Sequence, residues 1–370
     1  MDKNQSYDDL FSLIVSVLHN KQSKSIEDCG RIVTIAEHQA VIGLVCDAKS
    51  FVSSALTQEM RTKCVGQVVA LERQNCWMDK QVARLASTFD KHGVRYAVMK
   101  GQTCAAFYPI PSHRVPGDID VYVVPDDFER CCNLLTSMGF TLTDKTMLHY
   151  SYKSGKLYVE LHFAIQKMQF LPYFLRLKNI TKQAFDDTTT DSFVNIGGYR
   201  VRILPPELNM LLLTVHSFSH IISGGLGLRQ IIDWQVMLQT LDRTIRWNIM
   251  SAWLKDLHLK RMFLVLGYIN VAYLGMDKDI FLHHGLDVYA FSTRRMGERL
   301  LSWTKTCGNF GLSMDLGHGR MRFARYYLLF GKNLVRFFWL NPMEMLAWPL
   351  MKAYRGAMSK NHLKQSTCNF

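Results

Sequence analysis

Residues 117–124 read Gly-Asp-Ile-Asp-Val-Tyr-Val-Val, a β-branched and aromatic run that opens with two carboxylates two positions apart. In a strand, alternate side chains share a face. Asp118, Asp120 and Tyr122 then point one way, and Ile119, Val121 and Val123 the other. Two acids desolvated side by side are costly unless positive charge sits between them, and the usual solution is a divalent cation held for phosphoryl chemistry. A solvent-facing strand whose polar side merely begins with two Asp fits the same residues. What lies on either side of the run weighs between the two readings.

Upstream, His92-Gly93 ends a helix, Val94–Met99 reads as a short buried strand, and Lys100-Gly101 turns into a helix over Gln102–Tyr108. A strand that ends in Lys-Gly at a helix N-terminus can place backbone N–H groups and an ammonium around phosphate, although such turns are common in α/β proteins. The loop Pro109–Pro116 carries His113 and Arg114. After the acidic strand, Asp126 and Asp127 suit the cap of a helix running to Met138, stopped by Gly139. Further on, Leu148–Lys153 and Lys156–Phe163 flank Ser154-Gly155, a two-residue hairpin turn. That turn sets Leu148, Tyr150 and Tyr152 opposite Leu161, Val159 and Leu157 on an apolar face. His149 then faces Glu160, and Ser151 faces Tyr158, on the polar side, whose one acid is Glu160. A second hairpin is expected at Phe193–Ile196 and Tyr199–Leu204 around Gly197-Gly198.

Residues 1–92 read as helical and carry no evident chemistry, with no proline before Pro109. Pro205-Pro206-Glu207 opens another long helix, and helices continue to about residue 300. On them His216 and His220 are spaced i,i+4, as are Arg229 and Asp233 beyond the loop Ser223–Gly227. The histidines fit a metal, a pocket wall or the core, and spacing without a third ligand does not make a metal site. Arg229 and Asp233 read most simply as an intrahelical ion pair. Residues 320–356 interleave basic and aromatic side chains, which suits a packed helical pair or a peripheral membrane contact. The final dozen residues read as loose. The expected division is 1–92 helical, 93–204 α/β core and 205–370 helical.

The chain has 44 Lys+Arg against 31 Asp+Glu, a net charge of +13, which suits a polyanionic partner such as a nucleoside triphosphate, nucleic acid or anionic lipid. The charge is scattered, so a nucleic-acid arm is not indicated. Nine cysteines without CxxC spacing fit a reducing compartment. A polar, acidic start and the lack of a long uncharged apolar stretch predict neither a signal peptide nor a transmembrane helix, leaving the cytoplasm as the expected location.

Val98-Met99-Lys100-Gly101, then Arg114-Val115-Pro116-Gly117-Asp118-Ile119-Asp120, then Val159-Glu160-Leu161-His162 together resemble the nucleotidyltransferase superfamily that includes DNA polymerase β and kanamycin nucleotidyltransferase. More closely the chain resembles a bacterial branch of uncharacterised nucleotidyltransferases, and His216, His220 and Gly227–Asp233 share in that likeness. The resemblance covers roughly residues 93–240. It implies an α+β fold, a mixed-sheet nucleotidyltransferase core flanked by N- and C-terminal helical segments. It also implies transfer of a nucleoside monophosphate from a triphosphate such as ATP to an unidentified hydroxyl acceptor. Asp118, Asp120 and Glu160 would hold two Mg²⁺ or Mn²⁺ ions, and Lys100, Gly101 and Arg114 the nucleotide. His216, His220, Arg229 and Asp233 would line the acceptor pocket. In one place the chain departs: the superfamily's Gly-Gly or Gly-Ser turn reads Gly101-Gln102. A non-catalytic nucleotide-binding relative, or a peripheral membrane protein in polysaccharide assembly, would preserve the same motifs.

Overall fold

The structure, a computed structural model, describes residues 3–54, 56–223, 225–307 and 320–351. The expected loose tail, the end of the 320–356 segment beyond 351 and Gly224 of the expected 223–227 loop lie outside these residues.

Helices α1 (Lys3–Leu18), α2 (Cys29–His38), α3 (Ile42–Asp47) and α4 (Lys49–Val52) open the chain. Thr57 then caps α5 (Gln58–Lys91) by accepting the Met60 N–H at 3.2 Å. With no proline to interrupt it, α5 runs 34 residues and ends where Gly93 takes φ +61. Next come β1 (Tyr96–Met99), α6 (Gly101–Ala105), β2 (Ile119–Val123) and α7 (Pro125–Ser137), in the expected order. Asp127 does not cap α7 as expected; it accepts the Arg95 N–H at 2.7 Å and pairs with Arg130. Proline in the first turn of α7 already removes one unpaired donor, which frees the carboxylate to tie helix to strand.

Then follow β3 (Thr141–Lys145), β4 (His149–Ser154), β5 (Leu157–His162), α8 (Leu171–Asp186), β6 (Ser192–Ile196) and β7 (Tyr199–Ile203). β3 escapes sequence reading because all five of its residues are exposed, leaving no apolar alternation to detect. The seven strands form one mixed sheet in the order β3-β4-β5-β2-β1-β7-β6. The pairs β2/β5 and β1/β7 are parallel and the others antiparallel.

The β4–β5 hairpin corrects the expected register by two residues. Tyr150 pairs with Leu161 and Tyr152 with Val159, and Gly155-Lys156 make the turn in place of Ser154-Gly155. Gly155 has φ +58, and a tight hairpin turn accepts such a glycine at its first central position. A shift of two preserves parity, so the tyrosines keep the apolar face and Glu160 the polar one. His149 lies opposite His162 instead of Glu160. The second hairpin turns at Gly197-Gly198, both at positive φ, as expected.

The C-terminal part is α9 (Pro206–Ser223), α10 (Leu228–Leu241), α11 (Trp247–Asp256), α12 (Lys260–Tyr273), α13 (Asp279–Leu282), α14 (Phe291–Cys307) and α15 (Arg320–Phe337), followed by helical residues 342–351. One sheet face, with Ile119, Val121, Val123, Val159 and Leu161, packs against α5 and α7. The other, with Ala97, Met99 and Tyr122, meets an apolar core built by helices from both ends of the chain. Tyr7 donates its hydroxyl proton to Lys305 O at 2.7 Å, and Gln39 Nε2 donates to Thr304 O at 3.0 Å. The helical flanks, distant in sequence, therefore share one core. The eight described cysteines are free, and five are buried as small core side chains.

Gly43 of α3 lies beneath the loop that leads into β2, where an added Cβ would come within 2.0 Å of His113 O. His113 cannot yield easily, because Asp47 holds its Nδ1 at 2.6 Å and Glu72 its Nε2 at 3.1 Å. Gly43→Ala is therefore expected to cost about 1–3 kcal/mol by overpacking. A urea denaturation midpoint equal to that of the unsubstituted protein would contradict this contact.

Candidate active site

β2 and β5 build the acidic centre. They run in parallel with Asp120 beside Glu160 and Tyr122 beside His162, so both acids emerge on the face turned towards the helical wall. Asp118 stands just before β2, and β1 pairs Met99 with Asp120, which leaves Lys100 at the strand end beside the same carboxylates. The turn there is strained: Lys100 has φ +52 and ψ −146, a region rarely open to side-chain-bearing residues. Gly101 follows at φ +38, where a Cβ would stand 3.1 Å from Asp118 O. This conformation carries the Lys100 ammonium to 3.1 Å from Asp120 Oδ1, almost out of solvent.

Two histidines complete the centre. His162 Nε2 lies 2.8 Å from Asp120 Oδ1 and 3.3 Å from Glu160 Oε2, and His149 Nε2 lies 3.5 Å from Glu160 Oε1. His149, Glu160 and His162 bring candidate ligand atoms within 4.8 Å of one another. Among the described residues, that trio forms a group able to hold an ion, and the His216/His220 pair does not. Burial raises the Asp118 carboxyl, and the charges of Asp120 and Glu160 add to the effect. Burial acts the same way on Asp120, but Lys100 and His162 outweigh it and hold that carboxyl well below its usual range. Burial would also lower His162, yet its bonds to Asp120 and Glu160 prevail and raise it.

The opposite wall comes from α9 and α10. His220 Nδ1 donates to Gly225 O at 3.1 Å, so a neutral His220 accepts at Nε2, where His216 Nε2 donates at 3.1 Å. This assignment leaves His216 Nδ1 unprotonated, in keeping with its having no partner. Burial, then the charge of Lys100, drive both imidazoles towards the neutral form, His216 well below the ordinary value and His220 down to about 4.

Arg229 and Asp233 do not form the simple intrahelical pair. Asp233 takes Arg114 in a bidentate salt bridge, Nε to Oδ1 at 2.7 Å and Nη2 to Oδ2 at 2.8 Å, and accepts the Tyr108 hydroxyl proton at 2.8 Å. Arg114 from the loop is the better partner because a guanidinium meeting a carboxylate fork to fork makes two charge-assisted bonds. Arg229 is left with one bond, Nη1 to Val115 O at 3.1 Å, while its buried Nε has no partner. Burial and the neighbouring Arg114 lower its pKa. Among the described residues no carboxylate forms an ion pair with it, although the nearby Asp233 charge offsets part of this lowering.

All ten residues singled out from the sequence line one cleft of about 460 Å³: Lys100, Gly101, Arg114, Asp118, Asp120, Glu160, His216, His220, Arg229 and Asp233. Gln102, at the departure from the superfamily pattern, is turned away from it. Its amide donates to Asn75 and Asp79 of α5, and Asn75 Nδ2 also holds Arg114 O at 2.9 Å. The N-terminal segment, read as devoid of chemistry, thus supports both the Lys100-Gly101 turn and the loop that carries Arg114. No local pattern marks Asn75 or Asp79, because their partners lie more than twenty residues away.

The sequence profile of a family described as uncharacterised nucleotidyltransferase matches residues 25–275. No functionally curated protein matches the sequence. Among solved structures, the antibiotic-resistance factor ANT(2'')-Ia is similar at 10% identity and a TM-score of 0.37, over 49% of this chain and 93% of that one. An antigenic nucleotidyltransferase-like protein from Paracoccidioides brasiliensis is similar at 18% identity and a TM-score of 0.33, over 55% of this chain and 96% of that one. Both likenesses are remote, and the assignment rests on the sequence profile, which spans most of the chain including every residue of the cleft: the protein belongs to the uncharacterised nucleotidyltransferase family.

Proposed function

We propose that the protein transfers a nucleoside monophosphate from a nucleoside triphosphate to an acceptor hydroxyl and releases pyrophosphate. The observation that carries this reading is the convergence of Asp118, Asp120 and Glu160 with Lys100 and Arg229 in one cleft. In the transfer the acceptor hydroxyl loses its proton, its oxygen bonds to the α-phosphorus, and the bond from that phosphorus to the bridging oxygen of pyrophosphate breaks. The ligand atoms already gathered within 4.8 Å belong to His149, Glu160 and His162. Carboxylate oxygens, however, are the donors that hard divalent cations take, and in this reading Asp118 just before β2 would hold Mg²⁺ or Mn²⁺ with Asp120 and Glu160 of the paired strands. Bound there, the ions supply charge neutralisation of the phosphates and of the attacking oxygen.

The chain's own residues have separable tasks in this reading. His162 keeps Asp120 ionised and oriented. Lys100 compensates Asp120 until phosphate offers the ammonium a second anion. Arg114, spent on Asp233, shapes the loop, while Arg229 holds a guanidinium with an idle donor for the phosphates. The neutral His216/His220 pair suits an uncharged hydroxyl-bearing acceptor. Lys100 already bound to Asp120 also favours a second reading, triphosphate binding without turnover.

Incubating purified protein with Mg²⁺ or Mn²⁺ and each labelled triphosphate is expected to release pyrophosphate or label an acceptor. Asp118→Ala with Asp120→Ala should abolish it; turnover that survives the double change rejects the assignment, and calorimetric triphosphate binding without product supports the second reading. Arg229→Leu is expected to weaken triphosphate binding by about 10- to 100-fold, the worth of a hydrogen bond to a charged group. Equal affinity in calorimetry would remove Arg229 from the phosphate site.

The histidine pair predicts a pH dependence of stability. An unfolded His protonates near 6.5, whereas folded His220 does so only near 4. Between those values the unfolded chain binds more protons, so stability falls as the pH drops from 6.5 towards 4. His216→Gln with His220→Gln should flatten that fall in urea titrations across this window. A slope that stays the same would show that the pair is not held neutral.

A further inference from the structure

Far along the chain from the acidic strands, α14, α15 and residues 342–351 present a surface that the proposed transfer does not use. One side of α15 and the turn after it is packed: Asn333, Phe337 and Leu340 are almost wholly buried. The other side leaves Leu328, Val335 and Trp339 in solvent, flanked by Phe291 of α14, each 62–79% exposed. Largely exposed residues of this size, gathered on one face, mark an interaction surface.

Cations are interleaved with them. Arg295, Arg299, Lys332 and Arg336 line two adjoining grooves, one of about 500 Å³ beside Phe291 and Trp339, the other beside Leu328 and Val335. Arg299 belongs to both grooves, which makes them one face. No acidic residue lines either groove, and among the described residues none of these four cations forms an ion pair.

We propose that this face docks the protein on an anionic phospholipid bilayer. Phe291, Trp339, Leu328 and Val335 line the two grooves beside the cations and still stand 62–79% exposed, so they can enter the acyl boundary while guanidinium and ammonium groups stay at the phosphate level. Trp339 and Phe291 suit the interfacial zone, where aromatic rings concentrate. The absence of acids matches a surface of one negative sign. Among the described residues no helix is long and apolar enough to cross a membrane, so this contact lies along the bilayer surface. The net charge of +13 adds long-range attraction of the same sign.

Full-length protein is to be sedimented with vesicles of phosphatidylcholine alone and of phosphatidylcholine with phosphatidylglycerol. Binding is expected on the anionic vesicles only, and is expected to fall as salt is raised. Arg295→Gln with Arg299→Gln should lower the partition coefficient about fivefold per charge removed, roughly 25-fold together. Val335→Ser with Trp339→Ser should weaken binding at low salt, where the cations still act. Circular dichroism confirms that each variant is folded, and the vesicle and salt comparison of the unsubstituted protein decides the matter even where a variant is not. Equal binding to both vesicle types, no binding to either, or full binding by both variants overturns the proposal. So does light scattering that finds a dimer dissociated by Val335→Ser with Trp339→Ser, which assigns the face to a second copy.

Discussion

The parallel pairing of β2 with β5 is the constraint on which the site depends. It sets Asp120 beside Glu160 on one side of the sheet, with Asp118 at the strand entry. Three carboxylates so placed repel one another, and burial makes the repulsion stronger because little water screens it. The fold offsets this with Lys100 at the end of β1 and with His162 on β5 itself. The compensation is uneven. Asp120 is held firmly ionised by Lys100 and His162, whereas Asp118 is raised by burial and by the charges of its neighbours.

A second buried interaction joins the sheet to the helices. Arg114 reaches from the loop before β2 to Asp233 on α10 with a forked pair of bonds, and Tyr108 adds a third to the same carboxylate. Breaking such a pair from one side costs about 3–5 kcal/mol, since the remaining charge is left without a partner. The loop is braced on its other side by Asn75 of α5, which accepts no substitute of different shape without losing bonds to Ser112 O and Arg114 O. The cleft is thus closed by elements from the first and middle thirds of the chain. Its two guanidiniums are consequently unequal: Arg114 is held by Asp233, and Arg229 retains an unused donor.

The alternation of residues 117–124 was sufficient by itself to place Asp118 and Asp120 on one face, because side-chain period in a strand is two and the apolar partners filled every other position. The polar face of β5 was legible for the same reason, and survived a register error of two residues because parity was unchanged. The glycine pairs and the long proline-free helices were equally local signals. Tertiary structure alone decided which carboxylate Arg114 meets, why Arg229 is left with an unpartnered donor, how Asn75 and Asp79 support the Gln102 and Arg114 segments, and that both helical flanks build a single core. Each of these is a contact between segments far apart in the chain, set by the geometry of packed elements, and no periodicity within a segment encodes it.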